Sequence, residues 1–404
     1  MACCRNARSR PVPPALFWSV ALLLRAAALA SGPVYSDDIQ RYAWEGEVAL
    51  GGSSPYAFAP DAPELASLRE ALPELAPRVA HAEVPAVYPP LAQACGLATA
   101  ALVHASGASP GPANVWILRV LFLAADLGVL AVLLRARKAG RLRSEAPLVW
   151  GWCPLVCLEF AGSGHLDSLG ILFLLLALLA CEARPLASAL WCGLGASVKL
   201  LPLCVLPWIG RERPPARRLL FALLALGILA AGYLPFLQLA GGERGLGAGL
   251  HEYGERWEAA SLVYRFVEPW VLEHYGQGVP FEETRHLARV GVGWVWIAIC
   301  LVAVWRRRDA WSGAGAVVGA FLVLSPTLHP WYTLWMLPFL LERPSLAWSW
   351  LVAVSAIFYW PLAAWKAQQQ WIEPAWAWWL VAPVFAALWI CERWCARGLA
   401  GARA

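Results

Sequence analysis

Charge is what this chain has least of. Of its 404 residues, 15% are Asp, Glu, Lys or Arg and 60% are hydrophobic, whereas a soluble domain carries roughly 25% charge. That shortage argues against a soluble domain and for a helical bundle inside a lipid bilayer. Nucleotide-handling and hydrolytic motifs are also missing. There is no GxxxxGK[ST] loop to cradle phosphates, no HExxH zinc pair, no GxSxG nucleophile turn and no glycine fingerprint after a strand. With no cytoplasmic domain to bind a nucleotide sugar, an activated donor for group transfer would have to arrive in the membrane. Cysteine is plentiful at 11, but Cys153–Cys157 and Cys391–Cys395 are spaced i,i+4 with no histidine nearby. They read as small buried hydrophobes, not as a zinc site or disulfide framework. The net charge of +5 is too diffuse for a nucleic-acid surface, so no nucleic-acid partner is expected.

What is present is a series of apolar runs from end to end. A hydrocarbon core of ~30 Å takes about 20 apolar residues per helix. Backbone groups find no water there, so they bond one another in helices. The expected fold is all-α: a polytopic membrane helical bundle of about 10 to 13 transmembrane helices. Residues 1–404 form a single domain, with a large first extracytoplasmic loop at 31–87 that includes interfacial helices, and a second loop at 240–286. The opening segment mimics a signal peptide, with Arg5, Arg8 and Arg10 ahead of an apolar run ending "AAALASG". Arg25 is out of place in an ordinary signal core, so an uncleaved first helix near 13–30 is expected.

Short Lys/Arg-rich loops stay in the cytoplasm. "RERPPARR" (211–218), "RRRD" (306–309) and the basic C-terminal tail mark that side. Four polar clusters then share the opposite face: Asp37/Asp38, "GSGHLDS" (162–168), the 240–286 loop and His329. The N-terminal half breaks the count. Two full crossings near 88–105 and 116–134 would put the basic 135–143 segment outside, so one stretch is expected to re-enter or lie in the interface.

Ionisable groups at membrane helix ends are functional candidates. Asp37 and Asp38 either start a solvated loop or cap a helix whose first turn is 39–41, with Arg41 and Tyr42 following, or they supply a general base or an anchor for an acceptor hydroxyl. His165 and Asp167, at i,i+2, do not face each other on a regular helix. They are a helix start or a pair of substrate contacts. Lys199 is a lone cation in an apolar run; it snorkels to an interface or holds a lipid phosphate. His329, with Trp331, Tyr332 and Trp335 beside it, is part of an aromatic belt, or it binds a donor phosphate or assists a proton transfer. Within the 240–286 loop no spacing singles out His251, Glu252, Arg256 or Arg265.

Five blocks occur in order: "SDDIQRYAWEGEVALGGSSPYAFAPD", "VPAVYPPLAQ", "LEFAGSGHLDSLGILFLLLALL", "GASVKLLPLCVLP" and "SPTLHPWYTLWMLPFLL". Together they resemble the bacterial polyprenol-phosphate-mannose-dependent α-mannosyltransferases of the GT-C superfamily, near glycosyltransferase family 87. The resemblance spans residues 36–341. It implies a polyprenyl-phosphate-linked sugar donor, a lipid-linked or cell-envelope glycan acceptor, and a multi-pass protein of the plasma (inner) membrane. The active site would face the periplasm, among membrane lipids. The family's acid after helix one falls on Asp38, with Ile39 and Tyr42 completing the pattern and Asp37 beside it. The GHxD-like block falls on His165 and Asp167, with Leu166 where many relatives carry Asn. The late His-Pro block falls on His329 and Pro330. Catalytic roles therefore go to Asp38 and Asp37. Substrate contacts go to Arg41, Tyr42, His165, Asp167, Lys199, His329 and Tyr332. No cofactor is expected, although Asp37, Asp38 and Asp167 have the chemistry to hold a divalent ion. The competing reading is a polytopic transporter or lipid-sugar flippase. It predicts paired internal repeats, and none is visible.

Overall fold

Helices account for nearly all of the architecture in the computed structural model, which describes residues 12–239, 245–368, 370 and 372–401. The basic N-terminal tail, residues 240–244 of the second loop and the last three residues lie outside the described residues. Among the described residues, five helices are long and apolar enough to cross a membrane: Pro14–Ser31, Pro112–Lys138, Pro215–Leu237, Phe281–Arg306 and Leu346–Trp365. Shorter apolar helices, Pro154–Ser163, Asp167–Ala180, Pro185–Ala196 and Ala310–Leu324, fill the bundle between them. Of the two stretches that broke the positive-inside count, Pro112–Lys138 meets the spanning criterion and the 17-residue helix Pro90–Ser106 does not.

Proline sets many of the starts. It opens Pro14–Ser31, Pro90–Ser106, Pro112–Lys138, Pro185–Ala196 and Pro215–Leu237. At the first helical position its missing N–H would have had no partner anyway, and its φ already fits the helix. The core lies where Trp150, Phe160, Leu174, Trp208, Trp335 and Phe339 meet. Leu219, Leu220, Trp294, Leu301 and Trp305 stay exposed on the outer helices, the surface expected to meet lipid.

Arg25, the misfit in the first apolar run, is buried and paired. Its Nε and Nη2 donate to the Asp126 carboxylate at 2.6 and 3.0 Å. Its Nη1 donates to the carbonyls of Ala21 and Gly151, and Trp150 Nε1 donates to Asp126 at 2.8 Å. A bidentate pair with its spare donors satisfied is the tolerable way to bury both charges.

The segment after the first helix is packed tightly on the bundle. Asp38–Leu50 is a helix with nearly every residue buried, charged ones included. It runs against Pro90–Ser106 at a glycine contact: a Cβ on Gly46 would sit 2.3 Å from the Gly96 backbone. Only glycine on both helices permits that approach. Arg41 ties down the rest of the loop. It pairs with Glu45 at 2.9 Å and donates to the carbonyls of Ala80, His81, Val84 and Pro85. The pieces expected to be interfacial helices are two short 3-10 helices, Pro63–Leu65 and Ala76–Arg78, and a six-residue α-helix, Ala66–Ala71. Leu65, Leu72, Leu75 and Val79 bury against Ile39, Tyr42 and Trp44.

Candidate active site

Asp38 is the first residue of its helix. The Gly46–Gly96 contact holds that helix against the one beginning at Pro90, so Asp38 lies beside Tyr88 just upstream. The Tyr88 hydroxyl donates to Asp38 Oδ2 at 3.0 Å. Asp38 keeps 32% of its side chain accessible. Enough protein surrounds it that burial lifts its carboxyl to about 6, against the opposing pull of Tyr88 and of the Lys199 charge. Asp37 precedes the helix and makes no side-chain cap to it, so the capping account fails for the position best placed to cap.

His165 meets Asp38 from a different element. The chain there passes through a π-helical turn, Cys157–Ser163, and then Gly164 at φ +74° before helix Asp167–Ala180 begins. A Cβ at Gly164 would strike Arg119 and Ile39 at 2.8 and 2.9 Å, so glycine is required both by its dihedral and by space. The buried imidazole lies between two carboxylates: its Nδ1 is 3.7 Å from Asp38 and its Nε2 is 3.3 Å from Glu159. Neither separation is a formed hydrogen bond. Both ring nitrogens and both Glu159 oxygens are without one among the described residues. Buried polar groups are nearly always partnered, so four open atoms side by side make this a candidate site.

Aromatic stacking joins His165 to the late histidine. The His165 ring stacks on Trp331 at 4.0 Å, and Trp331 stacks on His329 at 4.4 Å and 6°. Burial and the Lys199 charge push His329 down to about 3, so it is a neutral imidazole at physiological pH. Tyr332, next to it, shares a hydrogen bond with the Tyr253 hydroxyl at 2.6 Å.

Asp167 opens the helix two residues past His165 and is engaged by other partners. It takes Lys199 Nζ at 2.8 Å and the Trp335 indole N–H on Oδ1, while its Oδ2 is without a hydrogen bond. Lys199 also sits 4.1 Å from the Tyr332 ring. The lone cation of the sequence is therefore a paired one.

The structure thus gathers Asp38, His165, Asp167, Lys199, His329 and Tyr332 into one cluster. Tyr42 lies at its edge, edge-on to Tyr88 at 5.0 Å. Arg41 is not brought in, because the loop carbonyls take its donors. Sequence reasoning missed Tyr88, Glu159, Trp331 as the stacking bridge, and Arg289. Glu159 carried a usable signal: it is a lone carboxylate in an apolar run, the same signal that marked Lys199. Among the described residues no three His, Cys, Asp or Glu side chains gather as a metal-binding group.

An apolar cavity of about 690 Å³ opens from this cluster, with Tyr88, Lys199, Tyr332 and Trp335 at its polar end. Arg289 and Tyr253 join that end, and Trp296, Cys300 and Phe321 are part of its apolar wall. Arg289 donates to the carbonyls of Gly254 and Trp257, but its buried Nε is without a partner among the described residues.

Fold and site together define a class: a polytopic helical membrane protein whose polar cluster closes the end of an apolar cavity. Residues 3–212 match the family model described as alpha-(1->6)-mannopyranosyltransferase, N-terminal domain. The chain belongs to that family and is a mannosyltransferase of the GT-C kind. The match takes in Asp38, His165, Asp167 and Lys199 and ends before His329, Tyr332 and Arg289. No curated protein and no solved structure matches the chain.

Proposed function

We propose that this chain transfers mannose from a polyprenyl-phosphate donor to a lipid-linked or cell-envelope glycan on the extracytoplasmic side of the plasma membrane, with inversion and with Asp38 as general base. The observation that carries the reading is the union of a tuned carboxylate with an apolar cavity. A polyisoprenoid chain fits a lipid-facing slot. The sugar phosphate then lies at the polar end, where Lys199 and Arg289 supply positive charge. In the reaction, the acceptor oxygen attacks the anomeric carbon while its proton passes to Asp38. The bond from that carbon to the phosphate oxygen breaks, and polyprenyl phosphate departs with the electron pair. Lys199 and Arg289 stabilise the charge that develops on it. His165 and Glu159 stand behind Asp38 as a relay for its proton. Neutral His329 orients sugar or phosphate by hydrogen bonding and adds no charge. If the product is alpha-linked, as the family description reads, a single displacement requires a β-linked donor.

Purified protein in lipid vesicles tests the reading. It should transfer mannose from polyprenyl-phosphate mannose to a mannoside acceptor, and transfer none from a nucleotide-linked mannose. Transfer from the nucleotide donor alone, or a β-linked product from a β-linked donor, would overturn it.

A further inference from the structure

A larger cavity of about 1090 Å³ lies on the other side of helix Ala310–Leu324, separate from the cluster. Trp311 and Ser312 line one end of it and Val323 and Leu324 the other, so it follows the helix along its 15 residues, about 22 Å at the usual rise. The partition is visible in the helix itself. Gly315, Ala316, Gly319 and Ala320 face this groove, while Val317, Phe321 and Leu322 face the slot beneath the candidate active site. The long walls are apolar and aromatic, with Phe266, Trp270, Phe339, Trp348 and Phe385 among them. The charges in the lining are all of one sign: Arg307, Arg343 and Arg393. Arg307 and Arg343 flank the start of the helix. Among the described residues Arg343 alone has a carboxylate within ion-pair reach, Asp309 at 3.2 Å, which leaves the set with a net positive charge.

We propose that this groove binds an anionic phospholipid, its phosphate held by Arg307, Arg343 and Arg393 and its acyl chains lying along helix Ala310–Leu324. The chemistry is complementary at both ends: arginine forks suit phosphate oxygens, and the walls suit hydrocarbon. The geometry also excludes the sugar donor as occupant. Asp38 and His165 lie with His329, beyond the far end of this helix, so a headgroup held by the arginines is a helix length away from the reacting groups. The ligand is a resident lipid of the opposite leaflet that fills the seam between Phe281–Arg306 and the C-terminal helix Ala375–Gly401.

Native mass spectrometry of the purified full chain, titrated with phosphatidylglycerol and with phosphatidylcholine, tests this. The wild type should retain phosphatidylglycerol more tightly. R307Q/R343Q/R393Q should lose that preference, at about fivefold per arginine and about a hundredfold in all. A second variant, Ala316→Phe, narrows the groove and should weaken both lipids alike. Equal retention of the two lipids by the wild type, or an unchanged preference in the triple variant, would overturn the proposal. So would a preference for polyprenyl phosphate over phosphatidylglycerol that disappears in the triple variant, since it would assign the groove to the donor.

Discussion

Two of the groups of charges buried in this bundle are treated in opposite ways. Arg25 and Asp126 are locked together, with all three guanidinium nitrogens and both carboxylate oxygens hydrogen-bonded. His165, Glu159 and Asp167 lie equally deep, with the partly exposed Asp38 beside them, but five of the ring-nitrogen and carboxylate atoms of those three are without a hydrogen bond among the described residues. Both arrangements cost desolvation. The first recovers that cost within the fold and is complete. The second recovers it only in part, which leaves capacity for a ligand. Burial of charge alone does not identify a site; incomplete satisfaction of it does.

The sharpest way to break this comparison is to remove one carboxylate from each group. Asp38→Asn should reduce mannosyl transfer by about 100- to 10,000-fold, the usual contribution of a general base, while its melting temperature in detergent stays near that of the wild type. Asp126→Ala should do the reverse. Stranding Arg25 should cost roughly 3–5 kcal/mol, seen as lost monodisperse yield, with near-normal turnover in whatever protein folds. An Asp38 variant that misfolds, or an Asp126 variant that folds well and is inactive, would exchange the two roles. Gly46→Ala tests the scaffold between them. Its methyl group meets the Gly96 backbone, and the helices should part at a cost of about 1–3 kcal/mol, read as a lower melting temperature and a weaker acceptor KM. Glu159→Gln should be milder. It keeps the shape and removes the exchangeable carboxyl proton of the relay behind His165, so kcat should fall about tenfold, the scale of one hydrogen bond, with the melting temperature raised or unchanged. A fall in melting temperature with kcat intact would make Glu159 a packing residue.

Much of this could be read from residues alone, for identifiable reasons. Apolar runs gave the bundle, because a bilayer forces hydrophobicity and helicity together. Asp38, His165, Asp167, Lys199, His329 and Tyr332 stood out because a polar side chain in an apolar run is conspicuous. What joins them was hidden. The π-helical turn at Cys157–Ser163 has no periodic signature, so nothing indicated that Glu159 would swing behind His165. The Gly46–Gly96 contact that places Tyr88 on Asp38 pairs two unremarkable glycines 50 residues apart. Arg41 misled for the converse reason: its value lies in the loop carbonyls at residues 80–85, and a sequence does not show which carbonyls will be orphaned.

The tuned carboxylate itself is most directly tested by the pH dependence of kcat/KM. Burial raises the Asp38 pKa to about 6, so the basic form is lost as pH falls through that value. The rate should be level above it and drop about tenfold per pH unit below it. Tyr88→Phe removes a hydrogen bond that favours the anion, and should move the acid limb upward by about one unit. A limb near 6 that shifts upward in Tyr88→Phe is the predicted result. A profile flat from pH 5 to pH 8, or a limb that Tyr88→Phe leaves in place, would contradict Asp38 as the base.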